Sequence, residues 1–265
     1  STIGSKKEIL LSTYICHPSM ANNELSGPLV WIFLYSMISN LKVRKYNYRF
    51  YIGPETIGAI TYLSQNKDKL LKNCIGGFVI NCCGDKGDFT FKKSKHGNSI
   101  TDKCAINVLE HNTEKFSILD FFPEGSDERQ YFSPGYNLSI GLIMRSMYGT
   151  YKEYHTSLDN KNFISFESLL ETIQIYFKTI KSIEADCKYK NLVPYGEPNL
   201  GKRGLYQLVN DDIKKIKKER SQMMWLLNLS DGNNSLSDIA LKSNSSILDL
   251  NEIALKLIEK KLLKA

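Results

Sequence analysis

The chain has 265 residues, of which 35 are basic and 28 acidic, giving a formal charge of +7, with 42% hydrophobic and 24% charged residues. This composition excludes a disordered or collagen-like chain, and the length is ample for a sizeable buried core. A charge excess this small does not by itself indicate a nucleic-acid partner. The six cysteines include no C-x-x-C pair, so neither a disulfide scaffold nor a zinc knuckle is expected, and a reducing cytoplasm is the expected location. No apolar run approaches the roughly 18 residues that would span a membrane, and no charged-then-apolar signal segment opens the chain.

In chain order, Glu8–Ile15 is a short apolar, β-branched run, predicted to be a buried strand. Ser1 leads into it almost at once, so a further N-terminal piece is expected to precede it. Gly27–Asn40, apolar on nearly all sides, predicts a buried helix. Tyr46–Ile52 alternates as a strand does, and Ile57–Lys72 has helical spacing. Gly76–Cys82 is a third buried strand, and Lys92–Lys95 is expected to be a solvated loop. Ile100–Glu110 reads as a helix, Phe116–Leu119 and Leu138–Met144 as strands, and Phe166–Ile183 as an amphipathic helix capped by Ser165. Strands alternating with helices at this spacing predict an α/β three-layer sandwich with a mostly parallel central sheet over residues 1–187.

Residues 188–204, rich in Pro, Gly and charge, read as a linker. Beyond it, 205–265 is expected to be a small all-α, winged-helix-like domain. Its helices are placed at Asp211–Leu227, Leu236–Ala240 and Ile247–Lys261, the last capped by Ser246. Tyr206–Lys218 is read as a solvated basic face. From Leu205 on there are ten Lys and Arg against eight Asp and Glu, and Asp249 and Glu252 open the would-be recognition helix. Those acids repel phosphate, so a docking or capping role is favoured over nucleic-acid binding.

The chemistry-bearing residues fall at predicted strand ends, where open α/β sheets bind ligands. His17 follows the first strand, Glu55 the second, Asp85 the third, and Tyr154 and His155 the last. Two imidazoles and several carboxylates at one sheet edge are what a zinc hydrolase needs: ligands, an open position for water, and a carboxylate outside the ligand set to take the proton. Asp85 is either a residual ligand or a turn residue, and Asp159 is placed to orient His155. In Gly125–Tyr131, Asp127 and Glu128 either capture a substrate amino group or belong to an Asp127–Arg129 helix cap. Arg145 either binds a substrate carboxylate or neutralises nearby acids. Cys16 is expected to be a buried structural cysteine, and His96 and His111 exposed and inert.

Five motifs then point to one family. Tyr14–Ser19 (YICHPS), Asn22–Gly27 (NNELSG), Pro54–Ala59 (PETIGA), Gly125–Tyr131 (GSDERQY) and Glu153–Ser157 (EYHTS) closely resemble a bacterial family of aminopeptidase-like proteins with a C-terminal winged helix. That family is distantly related to zinc aminopeptidases and glutaminyl cyclases and often sits among surface-polysaccharide genes, and the resemblance covers essentially the whole chain. It implies His17, His155 and the position of Asn23 as metal ligands, Glu55 as general base and Tyr154 as the group that steadies an oxyanion. Asp127, Glu128 and Arg145, from the residue reading above, are the substrate-binding candidates, and a peptide or small amide is the expected substrate. Asn23 stands where the family carries an aspartate, and Glu24 would take over if the turn shifted by one residue. Thr56 stands where two-zinc enzymes have a glutamate, which favours one zinc ion over two. Family members also carry a further N-terminal stretch. The expected function is therefore zinc-dependent hydrolysis of an N-terminal amino acid or related amide. The alternative is a homologue that kept the fold as a binding or scaffold protein, and an oligomer is left open.

Overall fold

The computed structural model describes residues 5–205 and 213–265. They divide into two compact units, with the boundary after Glu184. In the first unit, β1 (Glu8–Tyr14), β2 (Asn47–Gly53), β3 (Cys74–Val79), β4 (Phe89–Lys92), β5 (Phe116–Leu119) and β6 (Ile140–Met144) form one sheet in the order β2-β1-β3-β6-β4-β5. All neighbouring strands are parallel except β4 and β6. The mostly parallel α/β sheet expected from the sequence is thus present, with β4 added where no strand was expected, its last residue Lys92 opening the run read as a loop.

Every residue of β1 is buried, as befits a strand covered on both faces. Its polar side chains are satisfied: Thr13 donates to the Ile80 carbonyl (2.8 Å), and Ser12 pairs with the Tyr131 hydroxyl (2.8 Å). On one face, Leu10, Tyr14, Val79 and Leu142 pack with Ala59, Leu63 and Leu70 of α2 (Ile57–Asn73). On the other, Phe78 meets Tyr176 of α5 (Phe166–Ala185) edge to face. The Tyr176 hydroxyl donates to the Ile143 carbonyl at 2.6 Å. Ser165 caps α5 as expected, its Oγ accepting from the Ser168 N–H at 3.1 Å. Burial of each large apolar side chain contributes about 1.5–3 kcal/mol.

In α1 (Ser26–Ser39), Val30, Leu34 and Ile38 are buried while Leu29, Ile32, Phe33 and Tyr35 are exposed, so the helix is less enclosed than its composition suggests. At Gly27 the helix lies directly against the sheet. A Cβ there would strike the Ile80 carbonyl oxygen and lie 2.7 Å from Thr13 Oγ1. The remaining helices are α3 (Ile100–Asn112), opened by a Ser99–Asp102 capping box, and the short α4 (Glu128–Tyr131).

The topology fixes where a ligand would sit. After β2 the chain crosses β1 to form β3, so β1 has neighbours of opposite succession on its two sides, the crevice position in doubly wound sheets. The carboxyl ends of β1, β2, β3 and β6 share that edge, and Cys16–His17, Glu55 and Asp85 follow three of them.

The second unit contains β7 (Lys188–Asn191), α6 (Ile213–Leu229), β8 (Asp231–Ser235), α7 (Leu236–Ser243), α8 (Ile247–Glu259) and β9 (Leu263–Lys264). The expected all-α domain therefore also carries a three-stranded antiparallel sheet, β8-β7-β9. The segment read as a linker opens with β7, which pairs on both sides and buries Tyr189. Leu226, Leu236, Ile239, Ile247, Leu250 and Leu257 are fully buried and form the helical core. Ser235 and Ser246 cap α7 and α8. Asp211 and the Tyr206–Asp212 part of the expected basic face lie outside the described residues, whereas Lys214, Lys215, Lys217 and Lys218 are exposed. No helix among the described residues is long and apolar enough to cross a membrane.

Candidate active site

The site begins with a π-helical turn over Ala21–Leu25, immediately before α1. The Leu25 N–H reaches back to the Met20 carbonyl, and the N–H groups of Asn22 and Asn23 donate to the two Asp159 carboxylate oxygens at 2.6 and 3.0 Å. Asp159 thus anchors this turn, rather than orienting His155 as the sequence suggested. The wide turn presents Glu24, which is almost wholly buried. Glu24 Oε2 accepts the Cys16 N–H at 2.6 Å, while Oε1 lies 2.9 Å from His17 Nδ1 and accepts from Asn23 Nδ2 at 2.9 Å. Asn23 Oδ1 faces the Cys82 thiol at 3.9 Å. The amide expected to act as a ligand is therefore engaged on both sides, and the carboxylate beside His17 is that of Glu24.

The remaining elements converge on His17. The His155 ring centroid is 4.5 Å from that of His17, and the Tyr154 ring stacks on His155 at 3.9 Å. Glu55 Oε2 lies 4.0 Å from His17 Nδ1, and its Oε1 accepts from Ser126 Oγ at 3.1 Å. His155 and Thr56 both adopt positive φ, 55° and 62°, strained for non-glycine residues and frequent at functional sites. Thr56 is held in this state by Asp127 Oδ1, which accepts its N–H at 2.6 Å. Cys16 is exposed, contrary to the buried role expected. Ligand atoms of Cys16, His17 and Glu55 all lie within 4.8 Å of one another.

Two groups here have displaced proton affinities. Burial raises the Asp127 carboxyl to about 7; the Thr56 N–H opposes the shift, and the nearby charges of Glu55 and Glu128 add to it. Its Oδ2 is buried without a partner among the described residues. Burial also pushes the Tyr154 hydroxyl up to about 12, with Cys82, Glu55 and Glu24 adding to the effect, so it remains a proton donor at neutral pH.

The other sequence candidates are engaged elsewhere. Glu128 Oε1 is bound by Lys92 Nζ and by the Tyr148 hydroxyl, each at 2.9 Å, and Lys92 and Glu128 are both fully buried. Lys92 also donates to the Glu124 carbonyl and sits 3.6 Å from the Phe122 ring centroid. Its burial in β4 overturns the reading of Lys92–Lys95 as a solvated loop, and its ammonium pairs with Oε1 of Glu128, one of the two carboxylates weighed for a substrate amine, while Oε2 is buried without a partner among the described residues. Gly125 (φ +125°) lets the chain pass this cluster, since a Cβ would strike the Tyr148 hydroxyl and Glu128 Oε1. Asp127 stands at the N-cap of α4 but its side chain makes no cap hydrogen bond, and Arg129 donates to Thr56 Oγ1 at 3.2 Å. Arg145 donates to the Gly87 and Ser168 carbonyls and pairs with Glu171, which favours the neutralising reading over carboxylate capture. Asp85 is a turn residue that accepts from Gly87, Ser146 and Asn22. His96 and His111 are exposed.

Comparison with known proteins places the family and the fold. Residues 2–186 match the family described as a domain of unknown function, DUF4910, and residues 187–265 match a winged helix-turn-helix family. The chain belongs to the DUF4910 family. Among curated relatives, a Clostridium acetobutylicum protein is 45% identical over 98% of this chain and 59% of its own length. Its name, given provisionally, is polysaccharide biosynthesis protein with aminopeptidase-like domain. A crystal structure from the same organism, provisionally titled a peptidase, superposes with a TM-score of 0.90 at 45% identity, over 99% of this chain and 58% of that one. This DUF4910 chain thus spans about three fifths of the length of these relatives. BSAP, a zinc aminopeptidase from Bacillus subtilis, shares the fold at a TM-score of 0.56 and 14% identity, over 66% of this chain and 46% of that one. The DUF4910 unit therefore has the aminopeptidase-like fold, followed by a winged-helix unit.

The donor set suits zinc. Ligand atoms of Cys16, His17 and Glu55 cluster within 4.8 Å, the His155 ring lies against that of His17, and zinc takes N, S and O donors. Sequence reasoning weighed Glu24 only as a substitute ligand, not as the partner of His17, and missed Ser126 as the partner of Glu55, and Lys92. The alternation Phe89-Thr90-Phe91-Lys92 was the available signal for β4.

Proposed function

We propose that this chain is a zinc-dependent, aminopeptidase-like hydrolase domain that removes an N-terminal amino acid or cleaves a comparable amide on a sugar-derived substrate. The observation that carries this reading is the convergence of His17 and His155, 138 positions apart in sequence, with ring centroids 4.5 Å apart and Glu55 beside them. The zinc aminopeptidase fold neighbour and the name of the 45% identical relative support it.

His17 and His155 would hold a single ion, since Thr56 offers no second carboxylate. When bound, zinc would lower the pKa of a water toward neutrality and polarise the scissile carbonyl. Glu55 takes the proton of the attacking water and returns it to the departing amine, and the Ser126 hydroxyl fixes one of its oxygens for that exchange. The Asp127–Thr56 bond holds the turn that carries Glu55. Tyr154, protonated at neutral pH, donates to the developing oxyanion. Glu24, through His17 Nδ1, leaves the Nε2 lone pair available to the metal.

Assaying the zinc-supplemented chain against aminoacyl anilides and N-acylated amino sugars tests the reading. Hydrolysis that is abolished by Glu55→Gln is expected, and no turnover of any member of the panel would contradict it. The neutral Asn23 favours a second reading, a non-catalytic binding homologue. Asn23→Asp separates the two, because hydrolysis and metal affinity appearing only in that variant would support the second.

A further inference from the structure

We infer that Cys16 supplies the anionic ligand of the metal site, as a thiolate beside the His17 imidazole. This rests on the zinc reading above and completes its donor set. The Cys16 Sγ, a ligand nitrogen of His17 and a Glu55 oxygen all lie within 4.8 Å of one another, and Cys16 faces solvent. The alternatives for an anionic donor are already engaged. Both Glu24 oxygens are occupied, one by the Cys16 N–H and the other by His17 Nδ1 and Asn23 Nδ2. Asn23 carries no charge, and Glu55 must stay off the metal to act as the base.

Charge is the physical reason a third donor matters. Two neutral imidazoles leave the full double positive charge of the ion, and one thiolate halves it, as a carboxylate would. On metal binding the Cys16 thiol would give up its proton to solvent. The same Glu24 carboxylate fixes both halves of the pair, holding the Cys16 backbone with one oxygen and the His17 ring with the other. The preference this creates is also distinct. A thiolate favours zinc, cadmium and cobalt over manganese and magnesium, unlike a site built from carboxylates.

The test uses the whole chain, stripped of metal and titrated with Co(II), in native form and as Cys16→Ser. Because Cys16 is exposed, the serine variant keeps the packing of the fold. The native protein is expected to show a thiolate-to-cobalt charge-transfer band in the near ultraviolet together with visible d–d bands. Cys16→Ser should lose the charge-transfer band and bind zinc at least about tenfold more weakly. Bound zinc should also shield Cys16 from a thiol-modifying disulfide reagent. Cobalt bound equally by both proteins, with d–d bands alone and an unprotected thiol, would overturn the role of Cys16 while leaving the histidine site standing. No cobalt uptake by the native chain would overturn the zinc reading together with this inference.

Discussion

Glu24 Oε1 lies 2.9 Å from His17 Nδ1, in a π-helical turn whose N–H groups are anchored by Asp159. A carboxylate on the far nitrogen of a metal-binding imidazole sets the tautomer and raises the ligand basicity. Glu24→Gln should therefore weaken zinc binding about 10- to 100-fold while the far-ultraviolet circular dichroism stays native. Calorimetric titration of the variant checks this, and unchanged affinity would remove Glu24 from the site.

Asp127 links stability to pH. Its pKa is raised from the ordinary carboxylate range to about 7, so its contribution to stability is fully present below the unfolded-state value near 4 and is lost as pH rises to about 7. Asp127→Asn has no proton to lose. Its stability relative to the parent should therefore rise between pH 4 and pH 7, by up to an order of 4 kcal/mol, and then level off. Urea unfolding at a series of pH values measures the difference, and a flat profile would refute the assignment.

The fold was legible where the pattern was strong. The buried runs at β1, β3 and β6 and the period of α2, α3 and α5 lie within a few residues of their sequence-based bounds. β4 escaped because Lys92 looks solvent-directed in sequence, whereas Glu128, 36 positions later, neutralises it in the interior. The second sheet escaped because β8 is Asp231-Gly232-Asn233-Asn234-Ser235, a turn-like composition that becomes a strand only by pairing with β7. At the site, motif spacing brought His17, Glu55, Tyr154 and His155 to one edge. It could not resolve which member of Asn23-Glu24 faces the imidazole, because a π turn is a property of the backbone rather than of residue type.

The Lys92–Glu128 pair offers a direct energetic test. Removing one partner leaves a buried, uncompensated charge, so Lys92→Met alone should destabilise the protein by about 3–5 kcal/mol. Adding Glu128→Gln to Lys92→Met should recover much of that loss. Chemical denaturation of the four proteins in the cycle gives the coupling, and additive losses would show that the pair is not coupled.

Close approach of α1 to the sheet makes Gly27 sensitive. Gly27→Ala places a methyl group against the Ile80 carbonyl and 2.7 Å from Thr13 Oγ1. Overpacking of this kind costs about 1–3 kcal/mol, which thermal unfolding would register as a lowered midpoint. An unchanged midpoint would mean that the helix can retreat from the sheet without loss.

Metal content measured by mass spectrometry, after dialysis against zinc and removal of the excess, tests the central claim most directly. One zinc per chain is expected for the native protein, falling to background when His17 and His155 are both replaced by alanine. No retained zinc in the native chain, or equal retention by the double variant, would contradict a metal site built on these two imidazoles.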